Sequence, residues 1–198
     1  MSQPEIAVGD LLLRPWRRTD AADLVRGWAD PEVRRWGRYG AVVPVRENVE
    51  QWLDWNHEQR LYALRAGFAV CSADSGRLAG SITLRDFGRT AAPVGHGGNC
   101  GEAGYWILPE WRGRGVATRA LDALSRWAFG TTEDGGLGLR RIALRHSVAN
   151  LASCRVAEKA GYPREGTMRE SYRYADGAWH DEHLHARLSG DVGDIASP

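Results

Sequence analysis

The sequence predicts a mixed α/β fold in a single domain, and three observations carry that expectation. Apolar runs of strand length alternate with stretches of helical periodicity along the whole chain. No fixed-period repeat and no long Pro/Gly/Ser linker divides the 198 residues. A chain of that length buries roughly 70% of the surface it exposes when unfolded, so one core stands without disulfides or metals. The expected boundaries are a tail over 1–9, the domain over 10–188 and a second tail over 189–198.

The elements follow in order. Residues 11–13 with Trp16 read as a first strand, and the acids of Thr19–Asp23 open a helix whose apolar face is Leu24, Val25 and Trp28. Asp30-Pro31 ends it. Val45, Val49, Trp52 and Leu53 fall at helical spacing and suggest a second helix from about Arg46. Strands over 67–71 and 78–84 flank the hairpin turn Ala73–Gly76. Residues 86–101 are Gly-rich and poor in large apolar side chains, which predicts a loop of a length usually tied to function or mobility. A strand over 103–108 stops at Pro109, and a helix from about Gly115 carries Val116, Ala120, Leu121, Leu124, Trp127 and Ala128 on one stripe. Residues 130–138 form another loop, 142–144 a short strand, and Asn150 caps a helix that turns Val156, Ala157 and Ala160 inward and stops at Gly161. At the end Leu184, Ala186 and Leu188 alternate with Asp181, His183, His185 and Arg187, a strand with one polar face.

Composition excludes several classes. A formal charge of +1 is too small for an electrostatic footprint on nucleic acid or an anionic membrane. No stretch approaches the ~20 apolar residues of a membrane span, and the N-terminus lacks a secretory signal. Cys71, Cys100 and Cys154 are odd in number, far apart and without a CxxC pair, which suits a reducing, cytoplasmic compartment. Lys159 is the only lysine among 26 basic residues, so a single arginine carries little information and runs such as Arg140-Arg141 read as solvated faces.

The informative segment is 105–118, YWILPEWRGRGVAT. A strand ends, a loop carries two glycines, and an amphipathic helix begins. Amides of a first helical turn lack intrahelical partners and carry partial positive charge, so bare backbone there suits a pyrophosphate. A Walker loop is absent, and Gly113-Arg-Gly115 lacks the last glycine of a dinucleotide fingerprint.

Residues 112–117, RGRGVA, match [QR]xxGx[GA], the acetyl-CoA pyrophosphate signature of the GNAT acetyltransferase superfamily, which the chain resembles. Three further matches stand in order: 12–23 with 30–33, then 102–109 (EAGYWILP), then Asn150–Ser153 through Tyr162 with Glu165-Gly166 and 179–181. Together they resemble the ribosomal-protein N-acetyltransferase (Rim-type) branch over roughly residues 10–188. The resemblance implies a mixed, mostly antiparallel central sheet whose fourth and fifth strands splay apart, with helices on both faces. Pantetheine would lie in the splay against the backbone of Trp106, Ile107 and Leu108. The stretch 86–101 is longer than the family's tight hairpin.

The resemblance also distributes roles. Gly113, Arg114, Gly115, Val116, Ala117 and Thr118 would cradle the phosphates, with Arg112 either pairing with phosphate or lying on a solvated rim. Asn150 is a helix N-cap to which the family adds a pantetheine contact. Ser153 reads as a proton donor to the leaving sulfur or as a small residue packed beside the arm. Glu102 is the favoured general base and Glu170 its competitor, in a segment whose length departs from the family pattern. His180, His183 and His185 invite a metal, but Arg187 shares the strand face, so a polar sheet face and no metal are expected. The nine tryptophans read mostly as core and rim anchors.

The implied activity is acetyl transfer from acetyl-CoA to a primary amine, above all the α-amino terminus of a protein or peptide, by a monomer or homodimer. The alternatives are a small-molecule amine such as an antibiotic or amino acid, and a catalytically silent acyl-CoA-binding module.

Overall fold

The computed structural model describes residues 3–37, 44–61, 65–87 and 99–193. Its elements are β1 (Ile6–Val8), β2 (Leu11–Pro15), α1 (Ala21–Ala29), α2 (Pro31–Trp36), α3 (Val49–Leu61), β3 (Arg65–Ser72), β4 (Leu78–Arg85), β5 (Cys100–Ile107), α4 (Val116–Phe129), β6 (Arg141–Ser147), α5 (Leu151–Lys159), β7 (Arg164–Arg173) and β8 (Trp179–Leu188). Short 3-10 turns precede α1, follow β5 and end the described chain. The strands form one eight-stranded sheet in the order β1-β2-β3-β4-β5-β6-β8-β7. Every neighbouring pair is antiparallel except β5 and β6. The mixed, mostly antiparallel sheet that the resemblance implies is therefore present.

Each face of the sheet buries against its own helices. Leu13, Phe68, Val70, Ile82, Leu84, Ile142 and Leu144 pack with Val116, Leu121 and Leu124 of α4 and Ala157 of α5. On the opposite face Leu24 of α1 and Val49, Trp52 and Leu53 of α3 meet Trp16, Trp28 and Trp106. Gly27 permits that contact, since a Cβ there would stand 2.4 Å from the Trp106 ring.

Several elements differ from the sequence reading. Residues 6–8, placed in a tail, form β1, which pairs Val8 with Leu11 across a Gly9-Asp10 turn. Pro31 ends one helix and starts another, because Asp30 accepts the Val33 amide at 3.0 Å as the N-cap of α2. The helix expected from Arg46 begins at Val49, and the short strand at 142–144 extends to Ser147. The loop over 86–101 lies mostly outside the described residues, as 88–98 do.

The polar face of β8 is partly buried: His185 and Arg187 are fully buried, while Asp181 on the same face is exposed and Leu188 is half exposed. Arg187 reaches Asp122 of α4 at 2.7 Å, and that carboxylate also accepts from Arg126 at 2.9 Å. A buried cation with a fixed carboxylate partner satisfies what an unpaired one does not. Burial alone would raise the Asp122 pKa; the two guanidiniums outweigh it and hold the carboxyl below its ordinary range.

Candidate active site

β5 and β6 pair only from Cys100↔Arg141 to Ala103↔Leu144. Beyond that point β5 stays with β4 as far as Ile107, while β6 follows β8 to Ser147. The strands splay, and a cleft of about 970 Å³ opens between residues 104–107 and Leu144, Arg145 and His146.

The cleft runs on to the start of α4. Gly113 and Gly115 hold φ of +73° and +71°, a left-handed conformation that glycine adopts without Cβ strain. Gly115 is the N-cap, and the first intrahelical bond runs from the Arg119 amide to its carbonyl at 3.0 Å. The amides of Val116, Ala117 and Thr118 therefore have no intrahelical acceptor and sit at the positive end of the helix dipole. A Cβ at Gly113 or Gly115 would meet no atom within 4 Å, so this backbone faces open space. Gly113, Gly115, Val116, Ala117 and Thr118 all line the cleft, a geometry that fits a diphosphate.

Arg112 lines the cleft and also donates to the Ile107 carbonyl at 2.9 Å and to Asp30, tying the loop after β5 to the start of α2. Arg114 lies over the Trp111 ring and is not a lining residue. Leu108 is fully buried, with its amide on the Ala79 carbonyl at 2.9 Å, so its backbone and side chain face away from the splay that Trp106 and Ile107 line.

Opposite β5, the Asn150 side chain accepts the Ser153 amide at 3.1 Å, and both residues line the cleft. Tyr105, which sequence reasoning passed over, projects toward them, and its hydroxyl donates to the Ser153 carbonyl at 3.5 Å. Burial keeps that phenol protonated far above its ordinary range. Its signal was available: it is the second residue past the last β5–β6 pair, on the same strand face as Ala103.

The two predicted carboxylates are not brought to the cleft wall. Glu102 is buried, and its two oxygens accept from Arg85 and Arg145, whose guanidiniums do line the cleft. Glu170 is exposed on β7 at φ +43°, its amide tied to Asp181 at 2.8 Å. A proton leaving the cleft for Glu102 would pass two cations.

The remaining wall is aromatic and cationic. Trp28, Trp36, Trp52, Trp55, Trp106 and Trp111 line it together, so these rings serve as cleft walls as well as anchors. Arg65, Arg85 and Arg145 supply positive charge, with Glu32 beside Trp36 at 3.1 Å. Burial and the neighbouring Arg85 push the Arg65 pKa down to about 10.

A model of the acetyltransferase (GNAT) domain family matches residues 10–163. The chain is 32% identical over 128 residues to a putative ribosomal N-acetyltransferase, YdaF, of Bacillus subtilis strain 168, covering 65% of this chain and 61% of the relative. It thus spans under two thirds of that relative's length. Two solved structures share the fold. A ribosomal-protein-S5-alanine acetyltransferase from Vibrio fischeri superposes with a TM-score of 0.77 at 19% identity, covering 99% of this chain and 100% of the other. RimJ of Mycobacterium smegmatis in complex with CoA-disulfide superposes with a TM-score of 0.76 at 23% identity, covering 96% and 88%.

Proposed function

Since the chain belongs to the GNAT acetyltransferase family, we propose that it transfers an acetyl group from acetyl-CoA to a primary amine, the α-amino terminus of a protein or peptide. The observation that carries the reading is the continuous path from the β5–β6 splay to the amides of 116–118, which have no intrahelical acceptor. The cradle would hold the diphosphate through backbone N–H groups, and the splay would take the pantetheine arm beside Trp106, Ile107 and Asn150. The relative named as a ribosomal N-acetyltransferase supports a protein acceptor. Three free cysteines suit a reducing, cytoplasmic setting. Among the described residues no helix is long and apolar enough to cross a membrane.

The reaction needs a neutral amine aligned with the thioester, and alignment alone supplies about 7–11 kcal/mol. Arg65, Arg85 and Arg145 disfavour a protonated amine in the cleft, so the acceptor enters or becomes neutral. An α-amine, with a pKa of about 7.7–8.0 against about 10.4 for lysine, meets that condition most easily. The rate should rise with pH up to about 8 and level off above it as the neutral fraction saturates. The amine nitrogen attacks the thioester carbon and its proton leaves to solvent; the C–S bond breaks, and the departing thiolate takes a proton relayed through the Ser153 or Tyr105 hydroxyl, which recovers its own proton from solvent.

Glu102 acts in this reading as a positioning residue that holds Arg85 and Arg145. Glu102→Gln should lower the melting temperature and kcat together, by about 2–4 kcal/mol in stability, because two cations lose one carboxylate. Arg145→Gln should reproduce the kcat loss. A folded Glu102→Gln of unchanged melting temperature, with kcat down by roughly 10²–10⁴, would instead mark a general base.

The aromatic wall favours one second reading, a small aromatic amine as acceptor. Steady-state kinetics on a panel of peptides and aromatic amines separates the two. A higher kcat/KM for free N-terminal peptides supports the proposal, and a higher value for the small amines replaces it.

A further inference from the structure

His146 of β6, Cys154 of α5 and His183 and His185 of β8 bring one nitrogen or sulfur atom each to within 4.8 Å of one another. His146 also lines the cleft, the other three stand behind it between α5 and the sheet, and the transfer chemistry described above uses none of the four. The sulfur of Cys154 is 4.0 Å from Nδ1 of His183 and 4.0 Å from Nε2 of His185. In a tetrahedral zinc site with bonds of about 2.0–2.3 Å, ligand atoms stand about 3.3–3.8 Å apart. The cluster, with separations of up to 4.8 Å, is therefore up to about 1 Å wider than a filled site, and binding an ion requires the side chains to turn inward.

Two backbone contacts prepare the histidines. Nδ1 of His146 donates to the Ser147 carbonyl at 2.8 Å, and Nδ1 of His185 donates to the Tyr162 carbonyl at 2.9 Å. Each leaves Nε2 as the nitrogen with the lone pair, which is how metal-binding imidazoles are held. The His146 side chain is almost wholly buried, yet among the described residues its Nε2 has no hydrogen-bond partner. A buried imidazole nitrogen without a partner costs free energy unless something fills its place.

The charges nearby permit a cation. Arg187, two residues beyond His185, pairs its Nη1 with the Asp122 carboxylate. Arg164 donates to Nε2 of His183 at 3.3 Å, but it is exposed and free to swing into solvent. Glu158 accepts from the Cys154 thiol at 3.6 Å and sets a negative charge beside the site.

We propose that His146, Cys154, His183 and His185 bind one zinc ion, with the Cys154 thiol releasing its proton to solvent as the thiolate ligates. Three imidazoles and one thiolate suit this borderline ion, and they exclude magnesium and calcium, which take oxygen ligands. The ion braces α5, whose first turn carries Ser153, against β6 and β8.

Cobalt(II) reports on such a site through its spectrum. Titration of the full chain, free of any polyhistidine tag, should give one equivalent bound, with visible bands of tetrahedral cobalt and a near-ultraviolet thiolate charge-transfer band. Zinc should abolish both. Cys154→Ser should lose the charge-transfer band, and His183→Gln should bind cobalt at least tenfold more weakly, both while folded by circular dichroism. Absence of the charge-transfer band in the wild type, or a spectrum and affinity unchanged in both variants, overturns the proposal.

Discussion

Gly115→Val should weaken acetyl-CoA binding by well over tenfold, more than ~1.4 kcal/mol, measured by titration calorimetry on the folded variant. Two effects act together. At φ +71° a β-branched residue is strained, so the loop shifts away from the conformation that aims its amides into the cleft. The new side chain also fills the open space in front of the cradle. Strain alone is controlled by Gly135→Val, at φ +78° in the exposed loop after α4. That variant should lose comparable stability, about 1–3 kcal/mol, and keep full affinity. Unchanged affinity in Gly115→Val would remove the cradle from the account.

Asp122→Asn should cost about 3–5 kcal/mol, because it strands Arg187 as an uncompensated buried cation. For a chain of this size that is roughly 6–20 °C in melting temperature. Adding Arg187→Met should recover most of the loss, since an apolar side chain of similar length needs no partner. The pH dependence has a definite sign. The Asp122 carboxyl is depressed in the folded state, so its contribution is complete above its unfolded pKa of about 3.9 and is lost as pH falls through the folded value. A single-variant loss below about 1 kcal/mol would show that Arg187 does not depend on Asp122.

Much of this architecture was legible in the sequence because local chemistry dictates it. The glycines at 113 and 115, the apolar stripe of α4 and the Asn150 cap each require one local conformation, and each is found. The turn of α2 was written in Asp30-Pro31, which the sequence reading took only as a stop. What failed depends on tertiary partners. Alternation on β8 marked a polar face but not what covers it; His185 and Arg187 are buried because α4 and α5 cover that face and bring Asp122 and Cys154. The ion pairs of Glu102 were equally hidden, since its partners Arg85 and Arg145 come from strands 17 and 43 residues away. The tryptophans of α1, α2 and α3 follow helical spacing whether they face a core or a cleft, so spacing alone did not show that they converge.

The most direct test of the account is the release of free CoA thiol from acetyl-CoA in the presence of one peptide, presented with its N-terminus free and with the same N-terminus blocked. The account predicts steady release with the free peptide, near-background release with the blocked one, and one acetyl group on the α-nitrogen by mass spectrometry. Equal release with both peptides, even when an internal lysine is present, would contradict the α-amine assignment, and no release with any amine would contradict the transferase itself.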